Sequence, residues 1–142
     1  MIACVGFGHK DYGYKKHERE IERACVRLIE EHGVTQFYFG GRGNFDRECS
    51  VIVRKLKERY PQITNTLFLS YMPREKEFFT LPPQYDDSEY PLEKRVPPQF
   101  AILQTNKAVI DKCAFVLSGV VWHFGGAYKA VEYAHRKKKQ IM

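Results

Sequence analysis

The sequence predicts an α/β fold, with a doubly wound, mostly parallel sheet flanked by helices. Short apolar runs alternate with segments whose apolar residues recur at helical spacing, in the order β-α-β-α-β-insertion-α-β-α-(β). The run 114–121 is apolar almost throughout, which is typical of a parallel strand covered on both faces. A glycine cluster follows three of the predicted strands. Together these features predict a single domain over residues 1–142 with about four to five strands.

The first half of the chain contains three strand patterns and two helix patterns. Strands are predicted at 2–5, 37–39 and 66–71, the first leading into a glycine-containing loop at 6–10. The helix between the first two strands has an apolar stripe that starts at Ile21 and ends at Gly33, a residue suited to the left-handed turn that ends many helices. The next helix begins near Asn44 or Asp46, either of which can cap it, and stops before Pro61.

The second half begins with an irregular segment at 72–98, which contains six of the seven prolines. A loop of this length is typical of a lid, a binding loop or a partner-facing insertion, although its aromatic residues can equally pin it to the domain. Helices are then predicted at 99–112 and from 127 onward, separated by the apolar strand. Residues 140–142 are expected to form a short edge strand at most.

Composition indicates an ordinary globular protein. The 142 residues carry a formal net charge of +6, and part of this charge lies in the basic segment 135–139. Cations there complement the negative end of the last helix dipole, while a nucleic-acid patch is the alternative. The four cysteines lie far apart without metal-ligand spacing, so they are expected in the core, with no metal and no cofactor. The N-terminus resembles neither a signal peptide nor a membrane span, which predicts a soluble cytoplasmic protein without membrane contact.

The glycine clusters predict an anion-binding site. In a doubly wound sheet the carboxyl ends of the strands share one edge, and ligands bind there where the strand order reverses. Glycines between a strand and a helix leave the first helix N–H groups accessible to an anion. The predicted phosphate or ligand contacts are Gly8, His9 and Lys10 in the first loop, Gly40, Gly41, Arg42, Gly43 and Asn44 in the second, and Gly125, Gly126 and Ala127 in the third.

Individual side chains near these loops have competing interpretations. Arg42 can donate two parallel hydrogen bonds to a phosphate. Asp46 suits a helix cap better than a ligand contact. His9 follows the first strand and is the better ligand candidate, whereas His123 suits a loop. Trp122 and Tyr71 can stack on a base, but core packing is the usual role of a single tryptophan.

Three motifs resemble those of one superfamily. Gly8-His9-Lys10 is similar to the G-H-R of YpsA-like (DUF1273-type) proteins, residues 39–46 resemble their glycine-rich loop ending in G-x-D, and Gly125-Gly126-Ala127 resembles their G-G-[AT] turn. The three occur in the same order in the SLOG superfamily, the Rossmann-like group that includes DprA and the LOG enzymes. The resemblance implies a Rossmann-like domain that binds nucleotides or molecules derived from them.

The LOG enzymes extend this resemblance to a possible activity. Those enzymes carry an R-K pair on the helix before the central strand and a P-G-G-x-G-T-x-x-E motif after it. Lys107 matches the lysine of the pair, and Gly125, Gly126 and Glu132 match the G-G and E of the motif. Asn106 stands where those enzymes have arginine, Phe124 replaces the proline, and the G-T pair is absent. The resemblance thus implies a catalytic carboxylate at Glu132 and phosphate contacts at Asn106 and Lys107, with departures that argue against full activity.

Three functions follow for comparison with the structure. The first is binding of a small nucleotide-type ligand, such as an ADP-ribose or NAD-type molecule or a nucleoside phosphate, in a sensing or regulatory role. The second is a phosphoribohydrolase that cleaves the N-glycosidic bond of a nucleoside 5′-monophosphate. The third, least favoured, is a DprA-like accessory protein that binds single-stranded DNA. A homo-oligomer is compatible with all three.

Overall fold

The computed structural model describes residues 1–71 and 79–142. These residues form a single α/β domain, Rossmann-like in architecture, with an all-parallel sheet flanked by helices on both faces. The strands are β1 (Ile2–Gly8), β2 (Val34–Phe39), β3 (Thr64–Phe68), β4 (Asp87–Glu89), β5 (Phe115–Gly119) and β6 (Gln140–Ile141). The α-helices are α1 (Glu18–His32), α2 (Asn44–Leu56), α3 (Pro98–Lys112) and α4 (Gly126–Arg136), and a 3₁₀ turn (Lys15–His17) precedes α1.

The strand order is β4-β3-β2-β1-β5-β6. The chain moves outward from β1 in one direction as far as β4 and then returns to the other side of β1 for β5 and β6. The order therefore reverses between β1 and β5, whose registers align Cys4 with Phe115 and Gly8 with Gly119. The carboxyl ends of these two strands form the crevice at which ligands bind in sheets of this type.

Each face of the sheet has its own apolar core, and β1 contributes to both because its side chains alternate. Cys4 faces the core beneath α1 and α2, whereas Ala3, Val5 and Phe7 face the core beneath α3 and α4. The helices bury stripes at i, i+4 spacing, which is why their positions were predictable from the sequence. The buried stripe residues of α1 are Ile21, Cys25, Leu28 and Ile29, and those of α4 are Ala130, Val131 and Ala134.

The predicted fold class is confirmed, with one strand more than expected. The additional strand, β4, lies within the proline-rich segment and pairs in parallel with β3, so that Thr66 aligns with Asp87. Its three residues are Asp-Ser-Glu, without an apolar pattern, and besides the backbone pairing Glu89 forms an ion pair with Lys112 of α3. Residues 72–78 of the predicted insertion lie outside the described part of the chain.

Two smaller expectations, on Gly33 and on the cysteines, are also confirmed. Gly33 ends α1 in the left-handed conformation, with φ of 70°. All four cysteines are buried and free. Of the helices in the described residues, none is both long enough and apolar enough to span a bilayer.

Candidate functional site: a cleft at the carboxyl edge of the sheet

A cleft of about 690 Å³ lies where the strand order reverses. This volume is in the range of small-molecule binding sites. Three loops meet in it: the one after β1, the one before α2 and the one before α4. The residues lining the cleft are Phe7, Gly8, His9, Lys10, Asp11, Arg42, Gly43, Asp46, Ile102, Asn106, Trp122, Phe124, Gly125, Gly126 and Ala127.

The ring of Phe45 fixes the start of α2 against the ends of β1 and β5. A Cβ atom on Gly8 would lie 2.2 Å from Cγ of Phe45, and one on Gly119 would lie 2.3 Å from Cε1 of the same ring. Tyr14 packs edge-on against Phe45 at 4.8 Å between ring centroids. Glycine is required at both strand ends because the ring occupies the space of their side chains, so Gly8 has a packing role in addition to its position in the cleft.

The second glycine loop is packed tightly against the first. A Cβ on Gly43 would lie 2.5 Å from Cα of Lys10, and the N–H of Asn44 donates to the carbonyl of Lys10 at 2.9 Å. The Asn44 side chain donates to the carbonyl of Tyr12 at 3.1 Å. Gly43, and neither Asn44 nor Asp46, occupies the N-cap position of α2. The close contact between backbones leaves no room for a side chain at the N-cap.

Asp46 stabilises this loop from the first turn of α2. Its Oδ2 accepts a hydrogen bond from the backbone N–H of Arg42 at 3.0 Å, in the manner of an acidic residue that reaches back across a helix start. Desolvation raises the pKa of Asp46 to about 6, although the backbone N–H groups of Arg42 and Gly41 act in the opposite direction. The carboxylate is half-buried and lines the cleft, so its charge influences any anion bound there.

The guanidinium of Arg42 is held by polar side chains from two other elements. One terminal nitrogen, Nη1, donates to Oγ of Ser70 at 2.6 Å, and the other, Nη2, donates to Oδ1 of Asn106 at 2.9 Å. Its Cζ lies 5.5 Å from the centroid of the Phe68 ring. Desolvation lowers the pKa of Arg42 from its usual value. A guanidinium has five N–H donors, and these two bonds use two of them.

Helix α3 buries two polar residues beside its apolar ones, and one of them holds Arg42. Its polar residues Thr105 and Asn106 are buried, with exposures of 0% and 5%, whereas Ile102 and Leu103 are 41% and 43% exposed. The hydroxyl groups of Thr105 and Ser70 lie 3.0 Å apart, which extends the network from Arg42 through Ser70 into the helix. Buried polar groups that are hydrogen-bonded in this way fix one side-chain arrangement.

The amino end of α4 supplies backbone N–H groups to the cleft. Gly125 is the N-cap residue, with φ of 93°, a conformation that L side chains rarely adopt. No side chain of the described residues caps this helix, and Gly125 and Gly126 are exposed. The first N–H groups of a helix have no partner within it, so here they and the positive end of the dipole lie at the cleft.

An aromatic wall borders the same cleft. Trp122 and Phe124 stack with their ring centroids 5.7 Å apart and an interplanar angle of 5°. The Trp122 ring also contacts His9 at 4.6 Å and Tyr12 at 5.7 Å between centroids. Nε2 of His9 accepts hydrogen bonds from the backbone N–H groups of Val121 and Trp122, each at 2.9 Å. The expectation of core packing for Trp122 is therefore wrong, since 38% of this residue is exposed.

Most of the residues predicted as ligand contacts line the cleft: Gly8, His9, Lys10, Arg42, Gly43, Asn106, Gly125, Gly126 and Ala127. Gly40 lies just outside the lining, where a Cβ would be 3.1 Å from Cζ of Arg42. Gly41 instead lines a separate small cavity with Tyr85, and Asn44 is turned toward the loop after β1.

Two residues placed by the resemblance to LOG enzymes also lie outside the lining. Nζ of Lys107 is 5.4 Å from the centroid of the Tyr133 ring. The carboxylate of Glu132 hydrogen-bonds with the hydroxyl of Tyr128 and raises its pKa. Neither residue is among those that surround the cleft.

Six lining residues were not predicted as contacts: Phe7, Asp11, Asp46, Ile102, Trp122 and Phe124. Ile102 belongs to an apolar helix pattern, whereas Phe7 stood in the glycine-containing loop 6–10 and Asp11 in a polar loop. Asp46 was interpreted as a helix cap and Trp122 as a core residue. Phe124 was noted only because it stands where the LOG enzymes have a proline. Its position directly before Gly125 was the available signal, because residues next to a strand-to-helix glycine turn border the ligand edge.

The fold and the cleft define a Rossmann-like α/β domain. No family model matches the chain, and no curated protein matches its sequence. Among solved structures, the X-ray structure of TM1055, a target of the Northeast Structural Genomics Consortium, is similar with a TM-score of 0.56 at 17% identity, covering 99% of this chain and 72% of that one. The Moco carrier protein from Chlamydomonas reinhardtii is similar with a TM-score of 0.57 at 14% identity, covering 99% and 74%. At these identities the likeness shows the fold alone.

Proposed function

We propose that this protein binds a nucleotide or nucleotide-derived ligand in the cleft, in a sensing or regulatory role. The observation that carries the proposal is the convergence of Lys10, Arg42 and the uncapped amino end of α4 on one cavity of about 690 Å³. A guanidinium, an ammonium group and a helix N-terminus are three kinds of hydrogen-bond donor suited to phosphate oxygens.

The placement of the anion differs from the one the motifs alone implied. In the 40–44 loop the Asn44 N–H donates to Lys10, so the loop backbone is occupied by its neighbour. The side chain of Arg42 is then the contribution of this loop, and the phosphate lies between that guanidinium and Gly125–Ala127. Asp46 and Asp11 add negative charge to the lining, which favours ligands that also carry hydrogen-bond donors, such as ribose hydroxyls or amino groups.

Two further points support a binding role. The sequence resembles SLOG proteins at the three loops that form the cleft. One structural neighbour is named a carrier of Moco, so carriage of a small ligand is among the uses of this fold. The hydrolase function has less support, because Glu132 stands outside the lining and Asn106 replaces an arginine.

Thermal-shift measurements with AMP, NAD and ADP-ribose test the proposal. A ligand present at about a hundred times its Kd adds about 2.7 kcal/mol to the free energy of unfolding. The Arg42→Gln variant should bind at least about tenfold more weakly, since it loses a charged donor. Arg47→Gln is the matched control, because Arg47 is an exposed arginine of α2 outside the lining. If none of the three ligands raises the melting temperature at millimolar concentration, the proposal is overturned.

A further inference from the structure

We infer that Trp122 and Phe124 form a stacking platform for the planar ring of the ligand, so that the cleft selects a heteroaromatic ring joined to a phosphate. This inference rests on the proposed function and specifies its ligand class. Both rings line the cleft and keep apolar surface in contact with water, with 38% of Trp122 and 66% of Phe124 exposed. Burial of this surface under a flat ring is favourable, and aromatic rings prefer offset stacked partners.

Neighbouring residues hold Trp122 in place in the absence of a ligand. The two rings are parallel within 5°. The backbone of Trp122 is fixed by its N–H bond to Nε2 of His9, and its ring is held by contacts with His9 and Tyr12. His9 is itself buried, and its backbone N–H donates to the hydroxyl of Tyr14 at 2.7 Å. Rigid aromatic surfaces bind with a smaller loss of conformational entropy than flexible ones.

The platform lies next to the anion-binding end of α4 along the chain. Gly125 follows Trp122 by three positions, so their Cα atoms are at most about 11 Å apart. A nucleoside monophosphate joins its ring to its phosphate through a single sugar and fits within that distance. The aromatic face gives no hydrogen-bond discrimination between bases, so affinity should follow ring size, with purines above pyrimidines.

Trp122 is the only tryptophan of the chain, so its fluorescence reports on the platform directly. The experiment titrates the full chain with AMP, adenosine and ribose 5-phosphate, and measures fluorescence and calorimetric affinity in parallel. AMP and adenosine are expected to quench the emission, while ribose 5-phosphate is expected to bind without quenching. The Phe124→Ala variant should bind AMP roughly 5- to 100-fold more weakly and leave the affinity for ribose 5-phosphate unchanged.

Phe124→Ala is suited to this test because its side chain is exposed, so the fold does not depend on it. Phe100→Ala is the matched control, since Phe100 is an exposed phenylalanine of α3 outside the cleft lining. If AMP binds Phe124→Ala as tightly as the parent chain and does not quench Trp122, the stacking platform is overturned while nucleotide binding stands. If neither AMP nor ribose 5-phosphate binds at millimolar concentration, and NAD and ADP-ribose do not bind either, the proposed function fails and the platform fails with it.

Discussion

His9 and Trp122 are joined by a hydrogen bond of 2.9 Å, in which the Trp122 backbone N–H donates to Nε2 of the imidazole. The N–H of Val121 donates to the same nitrogen at the same distance. An imidazole nitrogen that accepts two N–H groups carries no proton, which places the proton of a neutral His9 on Nδ1. The loop after β1 therefore holds the loop before α4 through one acceptor atom.

This contact predicts a pH dependence of stability. Desolvation lowers the pKa of His9 below 6.5 in the folded protein, so the unfolded chain binds the proton more readily. The free energy of unfolding should then rise with pH up to about 6.5 and fall as the solution is acidified from pH 7 to pH 5. Urea denaturation at pH 5 and pH 7.5 measures this difference.

The His9→Gln variant should show a smaller stability loss on acidification than the parent chain. It should also be about 1–2 kcal/mol less stable at pH 7.5, because the two N–H groups lose a well-placed acceptor. His123→Gln is the control, since His123 is exposed and its ring stacks on Tyr128 at 5.6 Å between centroids. Equal pH dependence in the parent chain and His9→Gln would contradict the assignment.

The contact between Gly8 and Phe45 predicts a severe effect of one methyl group. In Gly8→Ala the new Cβ would lie 2.2 Å from the Phe45 ring, so the ring or the start of α2 must shift. The expected cost is about 1–3 kcal/mol of unfolding free energy. Gly13→Ala introduces the same methyl group where no atom lies within 4 Å, and it should leave stability unchanged or slightly higher. Chemical denaturation of both variants measures the difference, and a neutral Gly8→Ala would show that the ring moves freely.

The sheet and helices were predictable because burial imposes periodic patterns on the sequence. The stripe from Ile21 to Ile29 predicted α1, and the apolar run before Gly119 predicted the strand beside β1. Strand β4 was not predictable, since its polar residues Asp87–Glu89 pair only through their backbone with β3. Backbone pairing at a sheet edge leaves no side-chain pattern to detect.

The candidate site was predictable only in outline. The three glycine loops indicated the correct edge of the sheet, because glycine between a strand and a helix has a local geometric cause. The buried polar residues Thr105 and Asn106 were not predictable as partners of Ser70 and Arg42, since their contacts join distant parts of the chain. The stacking of Trp122 on Phe124 likewise depends on the conformation of a loop, which no local pattern determines.

Asp46 predicts a second pH dependence, of opposite sign to that of His9. Its pKa is raised to about 6 from 3.8, so the folded state binds the proton more tightly and this group's contribution to stability is lost as pH rises from about 4 to 6. Asp46→Asn keeps an oxygen that accepts from the Arg42 N–H. The variant should gain stability relative to the parent chain as pH rises through this range, by up to about 3 kcal/mol.

The same variant should bind phosphate-bearing ligands more tightly, because a negative charge is removed from the cleft lining. Asp87→Asn, at an exposed position of β4, is the control for both measurements. If the stability difference between Asp46→Asn and the parent chain stays constant from pH 4 to pH 7, Asp46 keeps an ordinary carboxylate pKa.

Convergence of three separate loops on one bound phosphate ligand is tested most directly by NMR titration of the ¹⁵N-labelled chain with ADP-ribose. The account predicts chemical-shift changes in all three loops, at residues 8–10, 42–43 and 125–127, with a common dissociation constant. The basic segment 135–139 begins in the last turn of α4, at the opposite end from the cleft of an 11-residue helix about 16 Å long. Shift changes confined to that segment, or to a single loop, would contradict the account.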